Sequence, residues 1–318
     1  MSNPSATTNP ANSRASQGLL AASRKFFQKH GVAVALVLPF LILFLTFIIL
    51  PVIRSLYFSF TDYNGIRVPN WIGLENYFSL FKEPRFYKAL SNTAIYMGFV
   101  SIIGTSMGLL LALVFGSQSA LDQFFRAAFF LPSVAGGVGL ISVFKWIFSS
   151  EDYGLVNTIR QWLGLETVRF LGDPNYAIPV LITMAIWGVM GYNMIIFVAG
   201  LRSISNELYE AAAIDGANPS QRFFKITLPL LRPTILYVLV TGMIGSFQVF
   251  YEPYVLFAQT SGVGGILDSS LTLVVFLYER GFHRFEMGLA SAIAWVLFLM
   301  LFVLTAINLR LGRANDID

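Results

Sequence analysis

A short polar stretch in the apolar run 233–257 carries side chains suited to binding a hydroxyl-rich ligand. It contains Phe247, Gln248, Tyr251 and Glu252. In one continuous helix, Gln248 lies about 22 Å along the axis from Pro233. Spacings of i+3, i+4 and i+5 place most of the four side chains on one helix face. Amides and carboxylates hydrogen-bond sugar hydroxyls and aromatic rings cover sugar faces, so the stretch predicts a sugar-binding face.

The same stretch has a second interpretation as polar contact between neighbouring helices. Amide, phenol and carboxylate groups inside a membrane span face either a cavity or a partner helix, because lipid cannot satisfy them. Interhelical hydrogen bonds would satisfy them equally well. The sequence leaves both interpretations open.

Other chemistry is excluded by the residue inventory. The chain has no cysteine, and its two histidines, His30 and His283, lie far apart. It has no HExxH motif, no carboxylate cluster and no Gly-Lys pair of the kind that a phosphate-binding loop requires. We therefore expect no catalytic residue, no metal site and no cofactor bound by this chain.

Composition places the chain in the membrane. Apolar residues make up 56% of the sequence and charged residues 12%, and the mean hydropathy is +0.67. These values are typical of a polytopic membrane protein whose partner is the lipid bilayer. The net charge of +4 comes from scattered residues, so nucleic acid is not an expected partner.

The longest polar interruption in the second half reads EAAAIDGANPSQRFFKITLP, from Glu210 to Pro229. Ser205 or Asn206 can cap a first short helix, which Gly216 ends as a left-handed residue. Asn218, Pro219 and Gln221 provide an N-cap, a first-turn proline and a capping-box partner for a second helix. Pro229 is expected to end it. The pattern predicts two short helices meeting at an angle.

This stretch resembles the cytoplasmic coupling loop, the EAA loop, of ABC importer permeases. Several other segments resemble the carbohydrate-uptake branch, specifically a permease similar to the larger of the two maltose permeases. These segments are FTDYNG, GLENY, SFQVF and FEMGLASAIAW. The resemblance covers nearly everything beyond about residue 35. The loop positions that match the family pattern are Glu210, Ala211, Ala212, Asp215, Gly216, Ala217, Ile226, Leu228 and Pro229.

The resemblance implies an all-α, MetI-like permease subunit of an ATP-driven importer that carries a sugar. Its implied partners are a second, homologous permease in a heterodimer, two ATP-binding subunits that hold ATP and Mg²⁺, and an extracytoplasmic solute-binding protein. The loop would dock the ATPase through Glu210, Ala211, Ala212, Asp215, Gly216 and Pro229. Phe247, Gln248, Tyr251 and Tyr192 match sugar-contacting positions. Tyr251 and Glu252 replace asparagines of that permease, so its sugar preference does not carry over.

The organisation that follows has six spans, at 31–57, 89–115, 127–148, 176–200, 233–257 and 287–309. Residues 1–30 are expected to form a disordered cytoplasmic tail, 31–310 the permease domain with its coupling loop at 201–232, and 311–318 a second short tail. Residues 271–278 are too short to cross the bilayer and are expected to be re-entrant or interfacial. Gly98, Gly104 and Gly108 suit close helix packing. Pro132 and a glycine-rich run after it should break the third span.

Both termini are expected in the cytoplasm of a bacterium, with the chain in its inner membrane. The 21 Lys and Arg residues divide almost evenly between the two sides, so the overall count decides little. Local flanks decide more. Arg24, Lys25 and Lys29 precede the first span, and Arg310 and Arg313 follow the last.

Three alternatives remain at this point. A secondary carrier would be expected to show a series of buried charges and inverted repeats, which the spans lack. A membrane-bound enzyme would need one of the catalytic patterns excluded above. The same ABC machine carrying glycerol phosphate or another polyol derivative would be expected to place clustered cations within the spans, and none is found there.

Overall fold

The computed structural model describes residues 31–32, 34–135 and 137–314. Within those ranges the chain is helical, and strand-like pairing is confined to one isolated bridge between Thr61 and Trp71. The predicted all-α class is therefore confirmed. The N-terminal tail predicted at 1–30 lies outside the described residues. The chain divides into two compact units, residues 1–57 and 58–318.

The first unit contributes one long apolar helix. Helix α1, Val34–Phe58, has a mean hydropathy of 3.0, and Leu45–Ile49 within it forms a π-helical turn. At 1.5 Å per residue its 25 residues span about 37 Å, which exceeds the roughly 30 Å hydrocarbon core of a bilayer. The first predicted span is confirmed as a helix of membrane length.

The second unit contains twelve further helices among the residues that the structure describes. They are α2 Glu75–Lys82, α3 Pro84–Val114, α4 Ala120–Ala135, α5 Val138–Ile147, α6 Leu155–Trp162, α7 Ala177–Arg202, α8 Asn206–Ile214, α9 Pro219–Leu230, α10 Arg232–Phe247, α11 Tyr251–Ser261, α12 Leu273–Tyr278 and α13 Met287–Ala314.

The number of spans depends on how bent helices are counted. Four described helices are long and apolar enough to cross a membrane singly: α1, α3, α7 with the turn before it, and α13. Two bent pairs raise the number to as many as six if each is one span, α4 with α5 at 104° and α9 with α10 at 61°. The second pair includes residues 219–230, which were predicted to belong to the coupling loop and not to a span. Helix α12 and the π-helical turn after it are too short to cross, as predicted. Helix α13 runs beyond the predicted residue 309 to Ala314.

The fifth predicted span is wrong as a continuous helix. Helix α10 ends at Phe247 and α11 begins at Tyr251. Pro253 accounts for the break, because its ring clashes with the carbonyl four residues earlier and it has no N–H to donate to that carbonyl. In the third span, Pro132 lies inside α4 rather than ending it. The chain turns at Gly137, whose φ is 84°, so the break predicted in the glycine-rich run is confirmed.

Helix α3 packs along α7 more extensively than any other pair of described helices. Gly104 and Gly108 make this possible. A Cβ at Gly108 would lie 2.5 Å from the Cβ of Asn193, and one at Gly104 would lie 3.0 Å from Val189. A Cβ at Gly98 would have no atom of another described helix within 4 Å, so the close packing predicted for Gly98 is not formed within the described part of the chain. The α3–α7 pair forms one wall of the cavity described next.

Candidate functional site

A cavity of about 580 Å³ lies within the second unit, between α3, α7, α10 and the start of α11. This volume falls within the range of about 300–1,000 Å³ that is usual for small-molecule sites. Four of the five residues predicted for the substrate path line it: Tyr192, Gln248, Tyr251 and Glu252. The structure thus brings residues from two separate predicted spans to one space.

The break between α10 and α11 decides which of these side chains reach the cavity. Gln248 follows the last residue of α10, while Tyr251 and Glu252 open α11. Phe247 does not line the cavity. It is 3% exposed and packs with Leu80, Phe86 and Phe276 in a separate apolar cluster. The spacing predicted that one continuous helix face carries these polar groups. That prediction is wrong, because the groups lie on both sides of the α10–α11 break.

Two hydroxyls on α3 were missed by the sequence reasoning. Ser101 and Thr105 line the cavity, are buried, and have no hydrogen-bond partner in the structure. Buried hydroxyls are nearly always hydrogen-bonded, so a ligand or water in the cavity is the available partner. The sequence signal was the i, i+4 spacing of Ser101 and Thr105, which places both hydroxyls on one face of the second span.

The cavity wall carries a single charge among its described lining residues, the carboxylate of Glu252. The other polar groups are hydroxyls, phenols and amides, including Asn193, whose amide nitrogen donates to the Gly104 carbonyl at 3.1 Å. No group suited to nucleophilic or metal chemistry lines it. Within the described ranges, no cluster of His, Cys, Asp and Glu could hold a metal ion.

The predicted loop at the Glu210 stretch folds as expected at its turn. Ser205 caps α8 by accepting a hydrogen bond from the Glu207 N–H. After α8, Gly216 has a φ of 81°. The Gly216 N–H donates to the Ala213 carbonyl at 3.1 Å and the Ala217 N–H to the Ala212 carbonyl at 2.9 Å. These two bonds define a Schellman motif, so the left-handed role predicted for Gly216 is confirmed.

Helix α9 begins as predicted and ends differently. Asn218 and Gln221 form the complete capping box. Pro229 does not end the helix, because the π-helical turn Phe223–Thr227 before it places Pro229 at the start of a new turn, where its missing N–H is tolerated. The helix continues to Leu230 and bends at the buried Leu231.

The two loop helices are joined and their outer side is open. The hydroxyls of Tyr209 and Thr227 lie 2.8 Å apart. Glu210, Ala211 and Asp215 are exposed, and Ala212 is half-buried. Two apolar side chains beside them have no cover, Ile214 at 87% exposed and Phe224 at 62%.

Comparison with known proteins places the chain in a family. Residues 104–316 match the family described as the binding-protein-dependent transport system inner membrane component, and the chain belongs to it. It is an ABC transporter permease, a multi-pass membrane protein and a transport component rather than an enzyme.

Relatives with curated names are similar over almost their full length. The probable ABC transporter permease protein YesP of Bacillus subtilis is 34% identical, over 90% of this chain and 91% of the relative. The arabinooligosaccharides transport system permease protein AraP of the same species is 35% identical, over 90% of each chain. The lactose transport system permease protein LacF of Rhizobium radiobacter is 34% identical, over 87% of this chain and 92% of the relative.

Solved structures share the fold. A chain of a bacterial ABC transporter involved in import of the acidic polysaccharide alginate superposes with a TM-score of 0.81 at 26% identity. The match covers 92% of this chain and 99% of that one. A second alginate transporter structure, in complex with an alginate pentasaccharide-bound periplasmic protein, gives a TM-score of 0.80 at 27% identity.

Proposed function

We propose that this permease carries a sugar through the cavity between α3, α7 and the α10–α11 break. The observation that carries the proposal is the lining itself, in which Gln248, Tyr251, Glu252 and Tyr192 face two unpartnered hydroxyls. Hydroxyl, amide and phenol groups around an apolar floor suit a saccharide. The names of the relatives that transport arabinooligosaccharides and lactose support the same cargo class.

The cargo that this wall favours is an uncharged saccharide. The similar proteins include permeases for lactose and for sulfoquinovosyl glycerol, and an alginate importer, so both neutral and acidic cargo occur among them. Among the described lining residues of this chain, the one charged group is the Glu252 carboxylate. Like charges in a poorly solvated cavity repel, which disfavours uronates, sulfonates and the glycerol phosphate alternative.

The α8–α9 loop, in the same proposal, docks the ATP-binding subunits. Its exposed Glu210, Asp215, Ile214 and Phe224 offer charges and apolar surface to a partner. ATP and Mg²⁺ are held by those subunits. The remaining partners are a second homologous permease and an extracytoplasmic solute-binding protein. Both termini and the loop lie in the cytoplasm, and the α10–α11 break lies toward the outer side.

Alanine substitutions in the reconstituted complex test the sugar path. Gln248→Ala and Tyr251→Ala should leave assembly and thermal stability unchanged while uptake falls and the ranking of alternative sugars shifts. If these groups only join helices, each variant should instead lose stability along with transport, by about 0.6–2 kcal/mol per hydrogen bond. Phe247→Leu is the matched control, because Phe247 lies beside the cavity residues in sequence and outside the cavity. Unchanged rate and selectivity in both alanine variants would remove the two residues from the path.

A further inference from the structure

The break between α10 and α11 leaves one backbone carbonyl without its helical donor. In a helix the Val249 carbonyl would accept from the N–H four residues later, but that residue is Pro253, which has none. The hydroxyl of Thr272 lies 2.9 Å from the Val249 oxygen and donates to it in a buried setting. A side chain from outside both helices therefore replaces the lost backbone bond.

The helix that begins after Thr272 is capped by another residue. Thr272 occupies the N-cap position of α12, where a threonine hydroxyl ordinarily accepts from the first turn, yet it makes no such bond. The N–H of Leu273 donates instead to the hydroxyl of Thr93 on α3, at 2.9 Å. The Thr93 hydroxyl in turn donates to the Ala89 carbonyl at 2.7 Å. Helix α3 thus caps α12.

The segment that carries Thr272 is fastened to α3 by further polar contacts. We name residues 262–286 the strut. The buried Asn92 amide donates to the carbonyls of Asp268 and Leu271, at 2.9 and 3.0 Å. Arg85, also on α3, pairs with the carboxylates of Asp268 at 2.6 Å and Glu279 at 2.9 Å. Four hydrogen-bonding contacts therefore link one helix to two places on the strut.

The far end of the strut is held by a second arginine. The Arg280 side chain is 8% exposed and pairs with Glu83 and, at 2.9 Å, with Glu286. The guanidinium carbons of Arg85 and Arg280 lie 5.8 and 5.1 Å from the ring centre of the fully buried Phe276. Charge-assisted hydrogen bonds of this kind are stronger than hydrogen bonds between neutral groups. The strut is accordingly fixed relative to α3.

We propose that the strut positions the helix break, and that Thr272 is the positioning residue that sets where Tyr251 and its neighbours meet the cavity. The inference rests on the proposed role of the cavity as the sugar path. Thr272 lies outside the cavity lining, so its action on the cargo is indirect. Its hydroxyl holds the Val249 carbonyl, and the next residues along the chain are the cavity-lining Phe250 and Tyr251.

Cysteine labelling in the assembled importer tests this directly, since the chain has no cysteine of its own. Tyr251→Cys would be labelled with a charged, membrane-impermeant methanethiosulfonate reagent, with Tyr192→Cys as a reference on α7. Adding Thr272→Val should change the labelling rate at position 251 by roughly fivefold or more, as expected when a buried carbonyl loses its donor. The labelling rate at position 192 should stay within about twofold of its value without Thr272→Val.

Two control variants separate positioning from general damage. Thr272→Ser keeps the hydroxyl and should restore the original labelling rate. Thr183→Val removes a hydroxyl that donates within its own helix, to the Pro179 carbonyl at 2.9 Å, and should leave position 251 unaffected. An unchanged rate at position 251 in an assembled Thr272→Val complex would overturn the inference. An equal change with Thr183→Val would do so as well.

A second variant covers the case in which Thr272→Val does not assemble. Asp268→Asn weakens the strut at its partly exposed contact with Arg85. A shift of the labelling rate at position 251 in this variant supports the inference, while no shift overturns it. The labelling needs no sugar. A negative labelling result would therefore not contradict the proposed sugar path. A negative result in the Gln248 and Tyr251 transport test would likewise not contradict the positioning role of Thr272.

Discussion

Replacing Gly216 by valine should uncouple the permease from its ATPase without removing it from the membrane. Gly216 has a φ of 81° and open space around the position of a Cβ, so the cost is conformational rather than steric. A left-handed conformation costs a non-glycine residue about 1–2 kcal/mol, and more for a β-branched one. Such a cost lowers the equilibrium constant between the intact and the opened turn by roughly 5- to 30-fold.

The chain contains a matched control for this change. Gly164 follows α6 with a φ of 74° and also has open space around it. Its N–H donates to the Gln161 carbonyl at 2.9 Å and the Leu165 N–H to the Arg160 carbonyl at 2.8 Å. This is the same Schellman motif that follows α8. Gly164→Val therefore imposes an equal backbone cost in a loop that lies outside the proposed docking surface.

The assay is co-purification of the ATP-binding subunits with each variant, followed by uptake in proteoliposomes. Gly216→Val should recover less ATPase, by at most about 30-fold, and lose transport in proportion, whereas Gly164→Val should recover it normally. Membrane insertion should be equal for both. Normal recruitment and uptake with Gly216→Val would refute the coupling role of the loop, and equal losses in both variants would show that the effect is not specific to docking.

Three further predictions concern topology, charge and pH. Reporter fusions after residues 65, 117, 173, 218, 269 and 315 should alternate out, in, out, in, out, in; finding 269 and 315 on the same side would contradict six spans. Glu252→Gln should raise the uptake of a uronate trisaccharide relative to its neutral counterpart, while an unchanged ratio would refute charge selection. Burial raises the pKa of Glu279, but hydrogen bonds and charges from Arg85 and Arg284 outweigh it, and the pKa falls below 4.5. Its stabilisation is therefore complete above pH 4.5 and lost as pH falls through the lowered pKa. The melting temperature of Glu279→Gln should fall less steeply with decreasing pH than that of the unaltered protein. An equally steep fall would contradict the stabilising role of the Glu279 ion pairs.

Local signals were sufficient for the coupling loop. The turn at Gly216 depends on one residue that tolerates positive φ, and the start of α9 depends on Asn218, Pro219 and Gln221 within four positions. Each is a short-range interaction that the sequence displays directly. The same holds for the membrane-length helices, since length and hydropathy decide them.

The cavity wall could be predicted only in part. The prediction from residue spacing treated the fifth span as one unbroken helix and therefore placed Phe247 on the polar face. Pro253, six residues later, was the sequence signal for a break in that helix. The partner of the freed Val249 carbonyl, Thr272, is 23 residues away. Nothing local indicates that pairing, because it depends on where α3 holds the strut. Long-range contacts of this kind become visible only once the helices are packed.

The bend at Leu231 joins the loop helix α9 to the membrane helix α10 at an angle. The residues of α9, Pro219–Leu230, span about 18 Å at 1.5 Å per residue, and they meet α10 at 61° beside the buried Leu231. Because the Tyr209–Thr227 hydroxyl contact ties α8 to α9, both helices can turn about that point as one arm. A rotation of about 10° then displaces the far end of α9 by about 3 Å. In the proposed docking role of the loop, such a displacement would carry a movement of the exposed loop past the buried Leu231 to α10, which leads to the cavity.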